Sequence, residues 1–257
     1  MRNTSYLRTA AIAAASSLAL SVPAAWSSAQ TPASEAAYLA KAEQQCPNEN
    51  RVLEPMVDTP LGRAKYRRQQ SEIEVAILCL VRTERARLGA EMHWLMPRVD
   101  LDRTLGKAGV RVKPGIGAAA TRHVKDAINL RWWGKVTPSK NCIPVEDKPE
   151  NCNPHINPRT GSTPQKRVEQ LTNLPSHCAA RGLRWQAYEN TYVGWGAQSV
   201  TPRAAFDWWR NSFPHYKNMM SAGPKMSVAV AYGSADPDAG SITPAVSYVQ
   251  VFGGCTR

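Results

Sequence analysis

The chain has 257 residues, of which 43% are hydrophobic and 20% charged, and its formal net charge is +12 at pH 7. Beyond the first residues, no segment is long and apolar enough to span a bilayer. The six cysteines lack a Cys-x-x-Cys pair and zinc-finger spacing, and no aromatic-interleaved basic motif indicates nucleic-acid binding.

The first 29 residues have the build of a secretory signal peptide. A basic start with Arg2 and Arg8 precedes the largely small and apolar stretch 9–22, and small residues at 27–29 offer a cleavage site. We therefore expect a secreted or periplasmic protein, with an uncleaved N-terminal anchor as the alternative. Cleavage would remove two positive charges and leave +10. That charge favours anionic lipid headgroups or envelope polymers as partners, although it also serves plain solubility.

The cysteines predict a disulfide framework, because an even number of them follows a signal peptide. The sequence alone does not fix their connectivity. Shared position in one polar loop favours the pair Cys142–Cys152. The pair Cys46–Cys79 would fasten an N-terminal arm, residues 30–70, to the first helix, and Cys178–Cys255 would tether the end of the last strand.

The first helix is predicted over residues 71–88. Ser71 and Glu74 form a capping-box pattern, apolar residues then recur at helical spacing, and Gly89 follows as a terminator. A second helix is predicted over 118–130. It is followed by a long polar loop over 134–161, of the kind that is functional or disordered in compact domains.

The second half of the chain predicts further helices and then strands. Thr163-Pro164 starts a short helix that ends at Leu171, and Thr201-Pro202 starts another that ends before Pro214. Residues 185–193 are expected to be extended, and the alternating runs 226–232 and 246–252 predict two strands, paired antiparallel. Helices come mostly first and strands last, which favours a single α+β domain over residues 71–257.

Two motifs are the most specific features of the chain. Trp209-x-x-Ser212-x-x-His215-x-x-Asn218 is one, and the pair Glu189-Asn190 followed by glycine is the other. Together with the first helix and the last two strands, they resemble the bacterial branch of the CAP superfamily, the SCP domain of cysteine-rich secretory, antigen 5 and pathogenesis-related 1 proteins. The resemblance implies a three-layer α-β-α sandwich with a mainly antiparallel central sheet.

The resemblance also implies a cleft lined by two histidines and one or two glutamates. His155, Glu189 and His215 match three of these positions, with His155 in a looser match that includes Gly161 and Arg167. The fourth position, a glutamate in eukaryotic members, is Ser212 here, as is common in bacterial members. Tyr216 stands where an arginine usually follows the second histidine. These departures weaken any chemistry that depends on four residues.

The chemistry of the three matching residues leaves several functions open. His155 and His215, together with the Glu189 carboxylate, are candidate ligands of a divalent metal such as zinc, with a position left for water. Alternatively, the three residues are catalytic, with Glu189 as the base that activates water. In the third interpretation they only hold the rim of the cleft through hydrogen bonds. A nucleophilic Ser212 with His215 as base is disfavoured, because no nucleophile-elbow glycines flank the serine.

The favoured function is therefore a secreted, non-catalytic binding module for lipid, sterol or an envelope polymer. An extracellular hydrolase or peptidase that uses His155, Glu189 and His215 is the main alternative, and a structural envelope protein without a ligand is the third. The tryptophans are expected mainly in the core. Of the adjacent Trp208 and Trp209, one is expected to face the sheet while the other lines the cleft or packs on a helix.

Overall fold

The computed structural model describes residues 46–91, 100–101, 115–135, 139–146, 148–221 and 225–257. All of them belong to the unit Leu39–Arg257. The predicted signal peptide and residues 30–45 of the predicted arm lie outside the described residues.

Helix α1 runs from Pro60 to Glu91, so the predicted start at Ser71 is wrong, and residues 60–70 of the predicted arm are helical. The helix begins at Thr59-Pro60, where the Thr59 hydroxyl accepts a hydrogen bond from the Gly62 amide at 3.0 Å. The run between Pro60 and Ser71 contains three arginines and two glutamines, with one lysine and one alanine, all of them strong helix formers. The capping-box pattern at Ser71 therefore lies inside a continuous helix.

Five further helices are described: α2 Gly117–Leu130, α3 Pro164–Leu171, α4 Leu174–Ala179, α5 Pro202–Arg210 and α6 Phe213–Met219. The second helix and the helix over 164–171 are confirmed. The helix that starts at Thr201-Pro202 is also confirmed, since α5 ends at Arg210, before Pro214. Helix α6 was not predicted; Pro214 lies in its first turn, where proline is tolerated. No described helix has the length and apolar character of a membrane span.

Seven strands are described, and they form two sheets: β1 Asp100–Leu101, β2 Gly134–Lys135, β3 Pro144–Val145, β4 Lys148–Cys152, β5 Arg184–Trp195, β6 Lys225–Tyr232 and β7 Ala245–Thr256. The larger sheet has the order β1-β6-β7-β5, antiparallel except for the pair β1-β6. The predicted extended segment and the antiparallel pair are therefore confirmed. The smaller sheet, β2-β4-β3, lies within the predicted loop 134–161, which is thus only partly irregular.

Helices pack on both faces of the larger sheet. Met226, Val228 and Val230 of β6 point to one face, where they join buried side chains of α1, α5 and α6. Ala229, between them, points to the opposite face and joins buried side chains of α2, α3 and α4, as the two-residue period of a strand requires. The chain is therefore a mixed fold of helices and mainly antiparallel sheet, which confirms the predicted α+β class.

The three favoured disulfides are all formed. Cys46 is bonded to Cys79 in α1, Cys142 to Cys152 beside the smaller sheet, and Cys178 of α4 to Cys255 of β7. The first bond fixes the segment before α1, and the last joins a helix to the end of the strand at the centre of the larger sheet. Each bond closes a loop that the unfolded chain would otherwise explore freely.

Strand β5 lies at an edge of the larger sheet, and side chains occupy part of that edge. Three alternate carbonyls of β5 accept side-chain hydrogen bonds: Ala187 from Gln165 at 3.4 Å, Glu189 from Asn218 at 3.2 Å and Thr191 from Trp209 at 2.9 Å. Unpaired edge carbonyls are otherwise a template for another strand. These donors also fix α3, α5 and α6 against β5.

Candidate functional site

A cleft of about 580 Å³ runs along β5, and elements on both sides of the larger sheet form its walls. Its floor includes Glu189, Thr191 and Val193, which alternate along β5. The smaller sheet supplies one wall, and α5 with α6 supplies the other. His155, Glu189 and His215 all line this cleft, so the structure brings the three predicted residues together although they lie far apart in the sequence.

Glu189 is buried, with 1% of its side chain exposed, and it is paired with Arg167 of α3. The Arg167 Nη2 atom lies 2.9 Å from Oε1 and 2.7 Å from Oε2 of Glu189. Arg167 also donates to the carbonyls of Ser162 and His155. The guanidinium group therefore neutralises the carboxylate and holds it to the loop that carries His155.

His155 is oriented by the same carboxylate. Its Nδ1 atom lies 3.0 Å from Oε1 of Glu189, and because a carboxylate only accepts hydrogen bonds, the Nδ1 atom carries the proton. The loop around it is fixed by buried Asn157, which donates to Asp126 of α2 and accepts from the amides of Arg159 and Thr160. The position of His155 is thus set by helices on either side of the loop.

A third histidine, His123 of α2, completes the buried group around Glu189. Its Nε2 atom lies 2.9 Å from the Pro154 carbonyl and 3.4 Å from Oε1 of Glu189. Its ring packs 5.4 Å from Trp132 and 5.8 Å from Trp133, measured between centroids. Both tryptophans are buried, and Trp133 also lines the cleft, so this pair serves packing and the cleft wall together.

The buried group has strongly shifted acid–base equilibria. Burial lowers the pKa of His123 to about 4, since it disfavours the charged ring. Burial alone would raise the pKa of Glu189, but the charges of His123 and Arg167 and the His155 hydrogen bond lower it to about 2. His123 is neutral at pH 7, so Arg167 is the charge that keeps Glu189 ionised there. A carboxylate held in this way is a weak base.

His215 lies in the first turn of α6, opposite the Glu189 group. Its Nδ1 atom shares a 2.7 Å hydrogen bond with the hydroxyl of Ser212, which precedes the helix. Its ring packs 4.6 Å from that of Trp208, between centroids. Burial, with a smaller effect of nearby His155, lowers the pKa of His215 to about 4, so its ring is neutral at pH 7.

The asparagines of the two motifs lock α6 to β5. Asn190 donates to the His215 carbonyl at 3.1 Å and to Gln250 at 2.9 Å. Asn218 donates to the side-chain oxygen of Asn190 and to the Glu189 carbonyl. Asn190 is fully buried, so these partners satisfy a polar group that would otherwise be costly. The Glu-Asn pair and the spacing of His215 and Asn218 therefore have a structural reason.

Tyr216 connects α6 to α1. Its hydroxyl donates to Glu84 at 3.1 Å, and Glu84 also receives hydrogen bonds from Arg87 and Arg210. Burial and the charge of Glu84 raise the pKa of Tyr216 to about 12. This cluster of Tyr216, Glu84, Arg87 and Arg210 fixes α6 to α1, and none of its members lines the cleft.

The residues present do not fit the expected zinc site. The Nδ1 bonds of His155 and His215 leave their Nε2 atoms for a metal. Glu189, however, is ion-paired with Arg167, so only two candidate ligands remain. Across the described part of the chain, no group of three or more histidine, cysteine, aspartate or glutamate side chains is arranged to hold a metal ion. Zinc sites in proteins use at least three such ligands, and the described residues do not supply them.

The sequence did not identify two residues of the site, Arg167 and His123, as members of the buried group around Glu189. Arg167 is part of a loose motif only, and His123 belongs to none of the sequence motifs. A signal existed for His123, because it stands in the stripe of buried residues Ala119, Ala120, Val124 and Ala127 on α2. A polar residue inside an apolar stripe needs a buried partner.

The expectation for Trp208 and Trp209 is confirmed, since Trp209 is buried while Trp208 lines the cleft.

The lowered pKa values of His123 and His215 predict that the free energy of unfolding falls as the pH drops from about 6.5 to about 4. His123 and His215 have pKa values near 6.5 when unfolded and about 4 when folded. Within that window the unfolded chain binds protons that the folded chain does not, so acidification favours unfolding. Glu189 adds a further decrease between about 4.5 and 2. Urea denaturation over a pH series measures the slope, and His215→Asn is expected to reduce it. A stability that is constant from pH 6.5 to pH 4 would contradict these shifts.

Comparisons of the chain with protein-family models, with curated proteins and with solved structures find no match.

Proposed function

We propose that this chain is a secreted or periplasmic member of the bacterial branch of the CAP superfamily, with the α-β-α sandwich of that family. Helices on both faces of a mainly antiparallel sheet support this assignment. So does the meeting of Glu189-Asn190 with His215 and Asn218 in one hydrogen-bond network. The three disulfides support an oxidising compartment.

We infer that the cleft binds an extracellular ligand without converting it. The observation that carries this inference is the ion pair between Glu189 and Arg167, which engages both carboxylate oxygens in a buried position. A carboxylate so engaged stays ionised near neutral pH and is a weak base. The cleft is still large enough for a ligand, since binding sites typically enclose about 300–1,000 Å³.

The test is a binding panel at moderate salt with a sterol, anionic phospholipid vesicles and purified cell-envelope polysaccharide. At least one member is expected to bind. Asn151→Trp, which places a large side chain on the cleft wall, is expected to abolish that binding. Asn211→Trp is the matched control, because Asn211 is exposed and is not among the residues that line the cleft. No binding by the panel, or equal binding by Asn151→Trp, would overturn the proposal.

A hydrolase remains the second candidate, because Glu189 fixes the proton of His155 on Nδ1. The Nε2 atom of a neutral ring then has the free lone pair that a general base needs. We expect no turnover of peptide or ester substrates by the purified protein. Turnover that disappears in His215→Ala, with the unfolding transition unchanged, would replace the binding function with hydrolysis.

A further inference from the structure

Among the residues that the structure describes, the two carboxylates that line the cleft are balanced by two cations, although the chain as a whole is strongly basic. Lys148 on one wall is balanced by Asp236, which also lines the cleft. Glu189 is neutralised by Arg167, and the ring of His215 is uncharged at pH 7. A net positive cleft would be expected for an anionic headgroup or a phosphate. The cleft itself therefore suits a ligand without net charge, and the overall charge acts outside it.

Aromatic rings form much of the cleft wall. Trp208 is 48% exposed, and its ring packs 5.8 Å from Tyr192 and 4.6 Å from His215, between centroids. Trp195 and Trp133 line other parts of the same cleft. A tryptophan that is packed on one side and exposed on the other offers a rigid apolar face to a ligand. This face suits a flat or gently puckered ring.

Polar side chains line the cleft between these rings. They are amides and hydroxyls, namely Asn151, Asn153, Asn218, Thr191 and Ser212. A lipid tail or a sterol nucleus laid over the partly exposed amides of Asn151 and Asn153 would take them from water and return no hydrogen bond, which is unfavourable for each group. A ligand that combines apolar ring faces with equatorial hydroxyl or amide groups satisfies both kinds of surface. Pyranose sugars have this combination.

We propose that the cleft binds an uncharged glycan, with a pyranose ring stacked on Trp208 and its substituents hydrogen-bonded to the amides and hydroxyls of the walls. This proposal rests on the ligand-binding function proposed above and narrows its ligand to the envelope-polymer class. A glucose polymer and an N-acetylglucosamine polymer share this chemistry. The amide-rich wall around Asn151 and Asn153 complements both the hydroxyl groups of the first and the acetamido groups of the second.

Isothermal titration calorimetry of the purified protein with β-1,4-linked hexamers of N-acetylglucosamine and of glucose tests the proposal. At least one hexamer is expected to bind, and the stronger of the two identifies the source. Trp208→Ala is expected to weaken that binding roughly tenfold or more, and Trp208→Phe less, because phenylalanine keeps an aromatic face. Phe213→Ala is the matched control and is expected to leave the affinity unchanged, since Phe213 is 79% exposed and is not among the cleft-lining residues.

The outcomes separate this proposal from the function on which it rests. If neither hexamer binds, or if Trp208→Ala binds as tightly as the unchanged protein, the glycan proposal is overturned. If anionic vesicles or a sterol bind instead, and Asn151→Trp abolishes that binding, the glycan proposal fails while the ligand-binding function of the cleft stands. If Asn151→Trp changes no binding at all, both proposals fail together.

Discussion

Replacing Arg167 by alanine is expected to lower the free energy of unfolding by about 3–5 kcal/mol, because it leaves a buried carboxylate without its partner. Glu189 has 1% of its side chain exposed, so in the folded protein its charge is stabilised by the guanidinium group rather than by solvent. The substitution also removes donors from the carbonyls of Ser162 and His155. Chemical denaturation at pH 7, followed by tryptophan fluorescence, measures the loss.

The matched control is Arg159→Ala, an exposed arginine of the same segment, which is expected to change stability by less than about 0.5 kcal/mol. The double variant Arg167→Ala/Glu189→Gln is expected to recover part of the loss, because glutamine is uncharged and still accepts from His155. The stability gap between Arg167→Ala and the unchanged protein is also expected to narrow as the pH falls, since protonation relieves an unpaired Glu189. A gap that is independent of pH would show that the charge of Glu189 is not its cause.

Removing the disulfide Cys178–Cys255 is expected to lower the free energy of unfolding by about 4 kcal/mol. The two cysteines are 77 residues apart, so their bond restricts the unfolded chain more than any shorter link. It also joins α4 to the end of β7, the strand that pairs with both β5 and β6. The change is made as Cys178→Ala/Cys255→Ala and measured by chemical denaturation.

The disulfide Cys142–Cys152 provides the comparison, because only 10 residues separate its cysteines. Its removal by the equivalent pair of alanine substitutions is expected to lower stability by about 3 kcal/mol. The order of the two losses in stability is a sharper expectation than their sizes, since each variant loses one disulfide bond. A larger loss for the Cys142–Cys152 variant would contradict an effect governed by loop length.

The sequence predicts the elements whose signals are local. The helix that starts at Thr163-Pro164 and the strands over 226–232 and 246–252 are defined by their own caps and alternation, and all three are present. The start of α1 was misplaced because a capping-box pattern also occurs inside a long run of helix formers. The smaller sheet was missed because strands of two residues, such as β2 and β3, are too short to show alternation.

For the candidate site, the sequence predicted which residues line the cleft but not how they are paired. His155, Glu189 and His215 were found by their resemblance to a family pattern, and the cleft does contain them. The pairing of Arg167 with Glu189 depends on the tertiary structure, because the two residues lie on different elements. No residue beside either of them in the sequence indicates that they pair. The chemistry expected of Glu189 changes with that partner, from a base or metal ligand to a fixed anion.

The side-chain donors along the edge of β5 have a consequence for how the cleft distinguishes its ligands. Three carbonyls that an added peptide strand would need as acceptors are already bonded to Gln165, Asn218 and Trp209. A ligand therefore meets side chains rather than a row of backbone acceptors. Substitutions on the walls, for example at Asn151 or Trp208, can alter what is bound while the sheet keeps its hydrogen bonds. The same scaffold can thus acquire new preferences by single substitutions, without rebuilding its framework.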